Sequence, residues 1–400
     1  MAEAPPLRLK KGRDAAVFDG MPWVYASDII ESSELLHVPP GGLVTVENHK
    51  GQFIGIGYYN AKSQIACRML TLKREPIDEA LFQSRLETAL ARRKKLFGEP
   101  YYRLAHAESD SLPGLLIDRF GDAFVVQVGT AGMELLQPLW LAALQELFHP
   151  KTIILRNDIA ARKLEGLRQG TAILPPPPAG GGGSIAELRE NGFTYYADLL
   201  HGQKTGWFYD QRDNREMISA LAKGKTLLDV YSHSGGFGLL AATRGAAEVT
   251  LADSSKPALE LAKKAAAANG ITCEYRQGDA FALMDRLQKE GKQFDIVLAD
   301  PPAFVKSKKD VATGLKGYEK VARLAAFLVK PGGLLFVASC SHHAARSAFN
   351  KAVLVGVKKA GRHAEILRQT GASADHPKHP KLPQSEYLKG ILLGIGGTMR

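Results

Sequence analysis

A glycine-rich turn followed by a carboxylate is the part of the sequence best suited to bind a nucleotide-like ligand. The turn runs from Asp229 to Gly238 with the sequence DVYSHSGGFG, at the end of an apolar strand-like run. Its glycines allow a ligand to approach the backbone, and the helix that begins there presents an electropositive N-terminus. Asp253 ends the next strand-like run, where its carboxylate can accept hydrogen bonds from both hydroxyls of a ribose. These features fit NAD as well as S-adenosylmethionine, and capping the following helix is the structural alternative for Asp253.

Two later motifs distinguish between these cofactors. The first, Gly278-Asp279-Ala280, follows the third strand-like run, where methyltransferases have an acidic residue that binds the adenine amino group. The second, Asp300-Pro301-Pro302, follows the fourth run and forms a rigid turn that carries Asp300 into the ligand crevice, a turn for which dehydrogenases have no use. The four elements have the order and spacing of a class I methyltransferase, which predicts S-adenosyl-L-methionine as the cofactor. The residues predicted to bind it are Tyr231, Ser232, Gly235, Gly236, Phe237, Asp253, Asp279, Ala280 and Asp300.

Regular alternation of strands and helices after residue 200 is expected to position these motifs. The predicted strands span residues 225–231, 248–253, 273–277, 294–299 and 333–339. The helices between them include residues 257–269, 279–289 and 317–328. This alternation predicts a doubly wound parallel α/β sheet, in which ligands bind at the carboxyl ends of the strands.

The first 198 residues predict two further domains. Short strands punctuated by glycines predict a small β-barrel in residues 1–75, and the helix that follows at 78–95 carries a basic cluster at Arg92–Lys95. Strands and helices alternate from 112 to 173 without an obvious catalytic cluster. The predicted domains are therefore residues 1–75, 76–198 and 199–400. Four prolines and then four glycines in residues 175–183 predict a local insertion that is first stiff and then flexible.

Composition excludes several classes of protein. Of the 400 residues, 45% are hydrophobic and 23% are charged, as in globular proteins, and no apolar run approaches the ~18 residues of a membrane span. The N-terminus lacks the apolar stretch of a secretory signal, and the three cysteines fit neither a disulfide framework nor a metal site. We therefore expect a cytoplasmic protein with no metal and no membrane partner. The net charge of +11 favours a polyanionic partner such as nucleic acid.

Motifs along most of the chain resemble those of bacterial 23S ribosomal RNA cytosine-C5 methyltransferases. Those that match the family's PUA RNA-binding domain, its central domain and the signature leading into its catalytic domain are GMPWVY at 20–25, LPGLLIDRFG at 112–121 and QKTGWFYDQR at 203–212. The catalytic motifs and the C-terminal strand are matched by DPPAF at 300–304, SCS at 339–341 and Gly390. The sequence departs from the family at the 175–183 insertion and at Trp207, where Phe or Tyr is usual.

The resemblance implies a fold of three parts and a nucleic-acid partner. The expected parts are an N-terminal PUA-like β-barrel, a small central α/β domain and a C-terminal Rossmann-like class I methyltransferase domain. The expected partner is 23S ribosomal RNA, naked or in an assembly intermediate. The sequence does not determine the oligomeric state, and a homodimer is left open.

Cys340 distinguishes methylation of carbon from methylation of nitrogen. Cytosine C5 is a poor nucleophile until a soft nucleophile such as a thiolate adds to C6. Cys340 follows the apolar run 334–338, so we expect it to lie beside Asp300, which could bind the cytosine N3 edge. The structural alternatives are an inert, packed thiol for Cys340 and a turn-ordering role for Asp300. Cys67 and Cys273 are predicted to be packing residues.

Two other functions remain open at this point. An RNA guanine-N methyltransferase would use Asp300 without Cys340. A non-catalytic RNA-binding ribosome-assembly factor would keep only a vestigial cofactor fold, and the complete set of motifs argues against it. The second cysteine that assists release in many RNA cytosine methyltransferases is absent from the loop after the fourth strand. The base that removes the C5 proton is therefore unassigned, and the sequence does not show which group activates Cys340.

Overall fold

The computed structural model of the protein describes residues 4–176 and 184–398. The chain divides into two compact units, each built from separate stretches of sequence. Unit 1 comprises the described residues of Met1–Ala186, Leu199–Trp207 and Asp375–Pro383, and unit 2 those of Glu187–Asp198, Phe208–Ala374 and Gln384–Arg400. Of the predicted insertion at 175–183, residues 177–183 lie outside the described part of the chain.

Unit 1 begins with a five-stranded sheet of order β1-β3-β4-β5-β2. Its elements are β1 (Pro6–Arg8), α1 (Asp14–Phe18), β2 (Trp23–Val24), β3 (Gly42–Glu47), β4 (Phe53–Tyr59) and β5 (Cys67–Thr71). Alternating residues of β3, including Val44 and Val46, face a small apolar core. Cys67 belongs to this core, and burial raises the pKa of its thiol to about 12. The prediction that Cys67 is a packing residue is therefore confirmed.

The second sheet of unit 1 has the order β10-β9-β8-β7-β6. Its strands are β6 (Tyr101–His106), β7 (Leu115–Phe120), β8 (Ala123–Val128), β9 (Thr152–Arg156) and β10 (Thr171–Leu174), and the associated helices are α2 (Glu79–Leu96), α3 (Ala131–Leu135), α4 (Gln137–Phe148) and α5 (Ala161–Leu164). Tyr58 of β4 is buried in the same core cluster as these elements, and its hydroxyl donates a hydrogen bond to the Pro113 carbonyl at 2.8 Å. Tyr58 and Leu70 of the first predicted domain therefore contribute to the core of the second, beside the separate small core of the first sheet, and the boundary at residue 75 stays a prediction.

Helix α2 corrects part of the basic surface predicted at Arg92–Lys95. Phe82, Leu86, Ala89 and Arg93 lie on the buried face of the helix, because these positions repeat every three or four residues. Arg93 forms a bidentate ion pair with Asp110, at 2.7 and 2.6 Å. Only the remaining members of the cluster, Arg92, Lys94 and Lys95, are exposed.

Arg93 also ties a distant part of the sequence into unit 1. One of its guanidinium nitrogens donates to the backbone carbonyl of Asp375 at 3.0 Å. The Asp375 carboxylate in turn accepts a hydrogen bond from the backbone N–H of Arg103 at 3.0 Å. Because both arginine groups are buried, these bonds from the 375–383 segment contribute to satisfying polar groups inside unit 1.

Unit 2 contains a seven-stranded sheet of order β15-β14-β13-β16-β17-β19-β18. Its strands are β13 (Thr226–Val230), β14 (Glu248–Asp253), β15 (Glu274–Gln277), β16 (Phe294–Ala299), β17 (Val329–Ser339), β18 (Arg362–Thr370) and β19 (Lys389–Thr398). The helices of the unit are α6 (Arg212–Ser219), α7 (Gly236–Thr243), α8 (Lys256–Ala268), α9 (Ala280–Lys289), α10 (Val311–Phe327) and α11 (Arg346–Lys359). Strands β13 to β17 are mutually parallel, as predicted, but β19 pairs antiparallel with both β17 and β18, so the sheet is mixed.

A hairpin of β11 (Ile185–Glu190) and β12 (Phe193–Asp198) precedes this sheet, and its residues 187–198 belong to unit 2 rather than to the central domain predicted from the sequence. Tyr195 donates a hydrogen bond to the Gly236 carbonyl at 3.0 Å, and Asn269 donates one to the Thr194 carbonyl at 2.8 Å. Glu190 forms a buried ion pair with Arg215 at 2.6 Å. The alternation of residue types in this segment predicts strands, but it does not show which part of the protein these strands pack against. The predicted division into three domains itself stays a prediction.

No helix among the described residues combines the length and the apolar character needed to cross a bilayer.

Close packing around Gly390 of β19 gives a test of the mixed sheet. A Cβ at Gly390 would overlap Thr370 Oγ1 of β18 and lie 2.8 Å from the Phe336 ring of β17, whereas one at Gly397 of the same strand would meet nothing within 4 Å. We expect Gly390→Ala to destabilise the protein by about 1–3 kcal/mol, because overpacking displaces buried side chains. Gly397→Ala is the control and should unfold at the wild-type temperature. Thermal unfolding measures both, and equal midpoints for the two variants would contradict the packing described.

Candidate functional site

The parallel register of unit 2 brings the predicted site residues to one edge of the sheet. Val230, at the end of β13, is paired with Ala252 of β14 and with Ala299 of β16. Ala299 is in turn paired with Val337 of β17. The predicted site residues at the carboxyl ends of β13, β14, β15, β16 and β17, or within two positions of them, are in that order Tyr231, Asp253, Asp279, Asp300 and Cys340. The chain leaves β13 toward β14 on one side and later returns to β16 on the other, which opens a crevice at this edge.

The glycine-rich turn has a backbone conformation that only a few residue types adopt easily. Gly235, the N-cap of α7, has φ +82°, and a Cβ there would come within 2.7 Å of Leu239. Tyr231 and His233 also have positive φ, at 63° and 50°. The turn is closed by a hydrogen bond from Gly235 N–H to the Ser232 carbonyl at 2.8 Å. This strained conformation leaves the backbone of the turn close to the crevice.

Two of the predicted cofactor-binding residues have buried side chains that pack in the protein. Phe237 is buried, and its ring packs on Phe336 at 5.9 Å between centroids. Ala280 is the first residue of α9 and belongs to the apolar core. Gly236 and Ser232 are buried within the turn.

Asp253 is held between the glycine-rich turn and the start of α8. Its Oδ2 accepts a hydrogen bond from His233 N–H and its Oδ1 accepts one from Ser255 N–H, both at 2.8 Å. The N-cap of α8 is Ser255, whose hydroxyl accepts from Ala258 N–H at 3.3 Å, so the capping alternative for Asp253 is wrong. Each carboxylate oxygen has two lone pairs, so Asp253 keeps acceptor capacity for a ligand.

Asp279 lies close to Tyr231 and caps α9. Its Oδ1 accepts a hydrogen bond from Ala282 N–H at 2.9 Å. Burial raises the pKa of the Tyr231 phenol, and the charges of Asp279 and Asp253 raise it further. The phenol therefore stays protonated at neutral pH beside two carboxylates.

A fourth carboxylate, Asp229, lies beneath the turn. It is buried and accepts a hydrogen bond from Gly238 N–H at 3.0 Å. Burial raises the pKa of Asp229 to about 7, the bond from Gly238 opposes this shift, and the charges of Asp300 and Asp253 add to it. Asp229, Asp253 and Asp300 thus form an acidic cluster, in which the sequence analysis assigned no role to Asp229.

Asp300 is oriented by a residue of the 203–212 signature. Its Oδ2 accepts a hydrogen bond from the buried Gln211 side chain at 2.8 Å. Asn214 of α6 donates to Gln211 Oε1 at 2.5 Å and so fixes which end of the amide faces Asp300. The signature drew attention to this segment, but its sequence does not show that Gln211 contacts the DPP turn.

A chain of buried hydroxyls connects the DPP loop to the turn that carries Cys340. Tyr318 Oη accepts a hydrogen bond from Ser339 Oγ at 2.7 Å and lies 2.8 Å from Ser341 Oγ. Ser341 Oγ also accepts from Val305 N–H, just after the DPPAF motif, at 3.1 Å. Both serines that flank Cys340 are therefore buried and paired, whereas Cys340 itself is half-buried. Cys273, also half-buried, has a thiol whose pKa is raised to about 11 by burial, as expected for a packing residue.

Lys389 contacts the Cys340 turn from the neighbouring strand β19. It is paired with Ser339 across the antiparallel ladder, and its buried ammonium donates to the carbonyls of Ser341 and Ala344, both at 2.8 Å. The sequence signal for Lys389 is a lysine directly before an apolar strand, and this signal alone predicts no contact with the Cys340 turn. In the part of the chain that the structure describes, no group of three or more His, Cys, Asp or Glu side chains could hold a metal ion.

Family models match two parts of the chain. Residues 7–72 match the model of a PUA-like domain, and residues 213–368 match a model described as Conserved hypothetical protein 95.

Similar proteins cover nearly the whole chain. The ribosomal RNA large subunit methyltransferase I of Aeromonas salmonicida is 35% identical over 394 residues, which are 96% of this chain and 98% of that protein. The protein of the same name from Photobacterium profundum is 36% identical over 96% of this chain and 97% of its own length.

Solved structures show the fold. SMU.776, a putative methyltransferase complexed with SAH, has a TM-score of 0.82 and 20% identity and covers 98% of this chain and 100% of its own. The tRNA m1G37 methyltransferase of M. jannaschii has a TM-score of 0.51 and 16% identity, with 79% of each chain covered. The predicted fold class, a PUA-like β domain with a Rossmann-like class I methyltransferase fold, is confirmed. This fold alone does not select the base or the atom that is methylated.

The acidic cluster predicts a specific pH dependence of stability. Because the pKa of Asp229 is about 7 in the folded protein and ~3.9 in an unfolded chain, its contribution to stability is present below pH ~3.9 and is lost as the pH rises to about 7. Asp229→Asn removes this loss and keeps an acceptor for Gly238. Relative to wild type, the variant should gain stability between pH 5 and pH 8, on the order of 3 kcal/mol.

Asp295→Asn is the control for this prediction. Burial raises the pKa of Asp295, but hydrogen bonds from Thr226 and Lys330 outweigh burial and lower it to about 2, so its contribution is constant between pH 5 and pH 8. Thermal unfolding at both pH values measures the differences. A gap between Asp229→Asn and wild type that is the same at pH 5 and pH 8 would show that Asp229 is ionised throughout.

Proposed function

Because the chain belongs to the family of ribosomal RNA large subunit methyltransferase I, we propose that it forms 5-methylcytosine in 23S ribosomal RNA, with S-adenosyl-L-methionine as methyl donor and a covalent bond between Cys340 and cytosine C6. The observation that carries the proposal is the pair of motifs at the ends of β16 and β17. Asp300 and Cys340 follow neighbouring parallel strands at the same edge of the sheet, and the hydroxyls of Tyr318 and Ser341 connect their loops.

The residues at the carboxyl ends of β13, β14 and β15 fit the proposed cofactor. Asp253 and Asp279 keep acceptor capacity for ribose hydroxyls and the adenine amino group, and the turn offers backbone groups at the N-terminus of α7. The acidic cluster of Asp229, Asp253 and Asp300 favours a cationic ligand, and the sulfonium that supplies the methyl group is a cation.

Cys340 and Asp300 would act on the target base. The Cys340 thiolate would add to C6, the new S–C6 bond forming as the electrons of the C5–C6 double bond move to C5. C5 would then take the methyl group as the S–CH3 bond of the donor breaks, with S-adenosylhomocysteine as the leaving group. Loss of the C5 proton and release of the thiolate restore the ring. Asp300, oriented by Gln211, would bind the N3 edge and favour its protonation as C6 is attacked.

The PUA-like domain and the net charge of +11 support RNA as the substrate. The exposed members of the basic cluster, Arg92, Lys94 and Lys95, lie on α2 in the same unit. We propose that the protein acts in the cytoplasm. The homodimer that the sequence left open is not part of the proposal. The guanine-N methyltransferase and the non-catalytic assembly factor become outcomes of the tests.

Cys340→Ala tests the reaction class. The variant should fold and bind S-adenosylhomocysteine, but methyl transfer to 23S RNA from cells lacking the enzyme should fall by at least about a thousandfold, because a covalent step is lost. The wild type should form a covalent complex with RNA transcribed with 5-fluorocytidine, since fluorine at C5 cannot leave as a proton. Mass spectrometry identifies both the methylated nucleoside and the adduct.

Cys273→Ala is the matched control and should form the same adduct at the wild-type rate. Near-normal turnover by Cys340→Ala with a methylated guanine as product would favour the nitrogen-methylating alternative. A wild-type protein that binds RNA but transfers no methyl group would favour the assembly factor.

Asp253→Ala tests the cofactor site. Removing a charge-assisted acceptor should weaken binding of S-adenosylhomocysteine by about 1.5–3 kcal/mol, a ten- to hundredfold rise in Kd. Ser255→Ala is the control, because it removes the N-cap of α8 and leaves Asp253 in place, so affinity should be kept. Isothermal titration calorimetry measures both variants, and wild-type affinity for NAD without affinity for S-adenosylhomocysteine would overturn the assignment.

A further inference from the structure

The ammonium of Lys389 is buried at the turn that carries Cys340. Lys389 is 3% exposed and is the direct cross-strand neighbour of Ser339, the residue before Cys340. Its two hydrogen bonds go to the carbonyls of Ser341 and Ala344, so its ammonium connects two backbone groups of the turn that directly follows Cys340. Burying an ammonium is costly, and two neutral carbonyls compensate for the charge only in part. A neutral donor would hold the turn at lower cost, so the charge itself requires an explanation.

The charges around Lys389 point to the thiol. Burial lowers the pKa of Lys389 and Arg346 lowers it further, whereas the ionised forms of Cys340 and Glu386 raise it. The interaction is reciprocal, because an ammonium that is stabilised by a thiolate stabilises that thiolate to the same extent.

Other titratable groups surround Cys340 on each neighbouring element. Tyr318 of α10 interacts electrostatically with the thiol, and burial raises the pKa of the Tyr318 phenol, so this group is neutral at pH 7. Asp300 lies at the end of the neighbouring strand, where its negative charge opposes a thiolate. His342 and His343 follow Cys340 in sequence and are exposed. Lys389 is therefore the buried cation among the groups that the structure describes around this turn.

We propose that Lys389 is a positioning residue that fixes the turn after β17 and stabilises the thiolate form of Cys340. The use of this thiolate in methyl transfer rests on the proposed function, but the effect of Lys389 on the thiol does not. The charge of Lys389 opposes that of Asp300 and raises the fraction of nucleophile available at neutral pH.

The pH dependence of Cys340 alkylation tests the proposal without RNA. The full chain is treated with iodoacetamide at a series of pH values, and peptide mass spectrometry follows Cys340 separately from Cys67 and Cys273. Lys389→Gln keeps a hydrogen-bond donor and Lys389→Met keeps the stem, and both remove the charge. In each, the midpoint of the alkylation profile should move up by about one pH unit, so the rate at pH 7 should fall about tenfold. Lys389→Arg, which keeps the charge, should keep the wild-type midpoint.

Lys358→Gln, an exposed charge change on α11, is the control and should leave the profile unchanged. The pH profile of methyl transfer should move in parallel with alkylation. Unchanged midpoints in both Lys389→Gln and Lys389→Met, or an equal shift in Lys358→Gln, would overturn the proposal and leave Lys389 as a structural anchor. An active Cys340→Ala variant would refute the proposed function, whereas the alkylation shift would still decide the role of Lys389.

Discussion

Parallel pairing of β13 with β14 and β16 is the constraint on which the site depends. Each strand of a parallel ladder ends at the same edge, so residues far apart in sequence meet there without any need for long side chains. The register through Val230 and Ala299 aligns the glycine-rich turn with the DPP loop. Strand β19 pairs antiparallel with β17 and so brings Lys389 to the Cys340 turn. The sheet thus fixes the relative positions of the proposed cofactor-binding and nucleophilic groups before any ligand arrives.

The charges along this edge are divided by function. Asp229, Asp253 and Asp300 lie toward the glycine-rich turn and favour a positively charged ligand. Lys389 lies on β19, on the far side of β17 from Asp300, and favours an anion at Cys340. In the proposed reaction a methyl group passes from a cation to a carbon that the thiolate has made electron-rich, and this division of charge suits both groups. The hydroxyls of Tyr318 and Ser341 connect the two regions without adding a charge of their own at neutral pH.

Sequence periodicity predicts the five parallel strands and most helices of unit 2, because apolar runs and turn residues alternate there at regular intervals. Periodicity fails where the position of a side chain depends on the residue that it contacts in the folded protein. Arg93 lies in a basic run, yet helical spacing puts it on the buried face opposite Asp110. The order of the strand-end motifs identifies Asp300 and Cys340, but Gln211 and Lys389 reach them from other elements. Such contacts join elements that are far apart in the sequence, so local sequence patterns do not reveal them.

The way in which the chain alternates between the two units affects the order in which they can be completed during synthesis. Unit 1 includes residues 375–383, and Asp375 satisfies buried groups of Arg93 and Arg103 that lie more than 250 positions earlier. A nascent chain therefore cannot finish its N-terminal unit until nearly the whole protein has left the ribosome. A fragment that ends before residue 375 would carry an incompletely paired arginine in its core, so unit 1 is completed only when most of unit 2 has been synthesised. For an enzyme proposed to act on ribosomal RNA, this linkage delays completion of the unit that contains the PUA-like domain until unit 2 is almost fully synthesised.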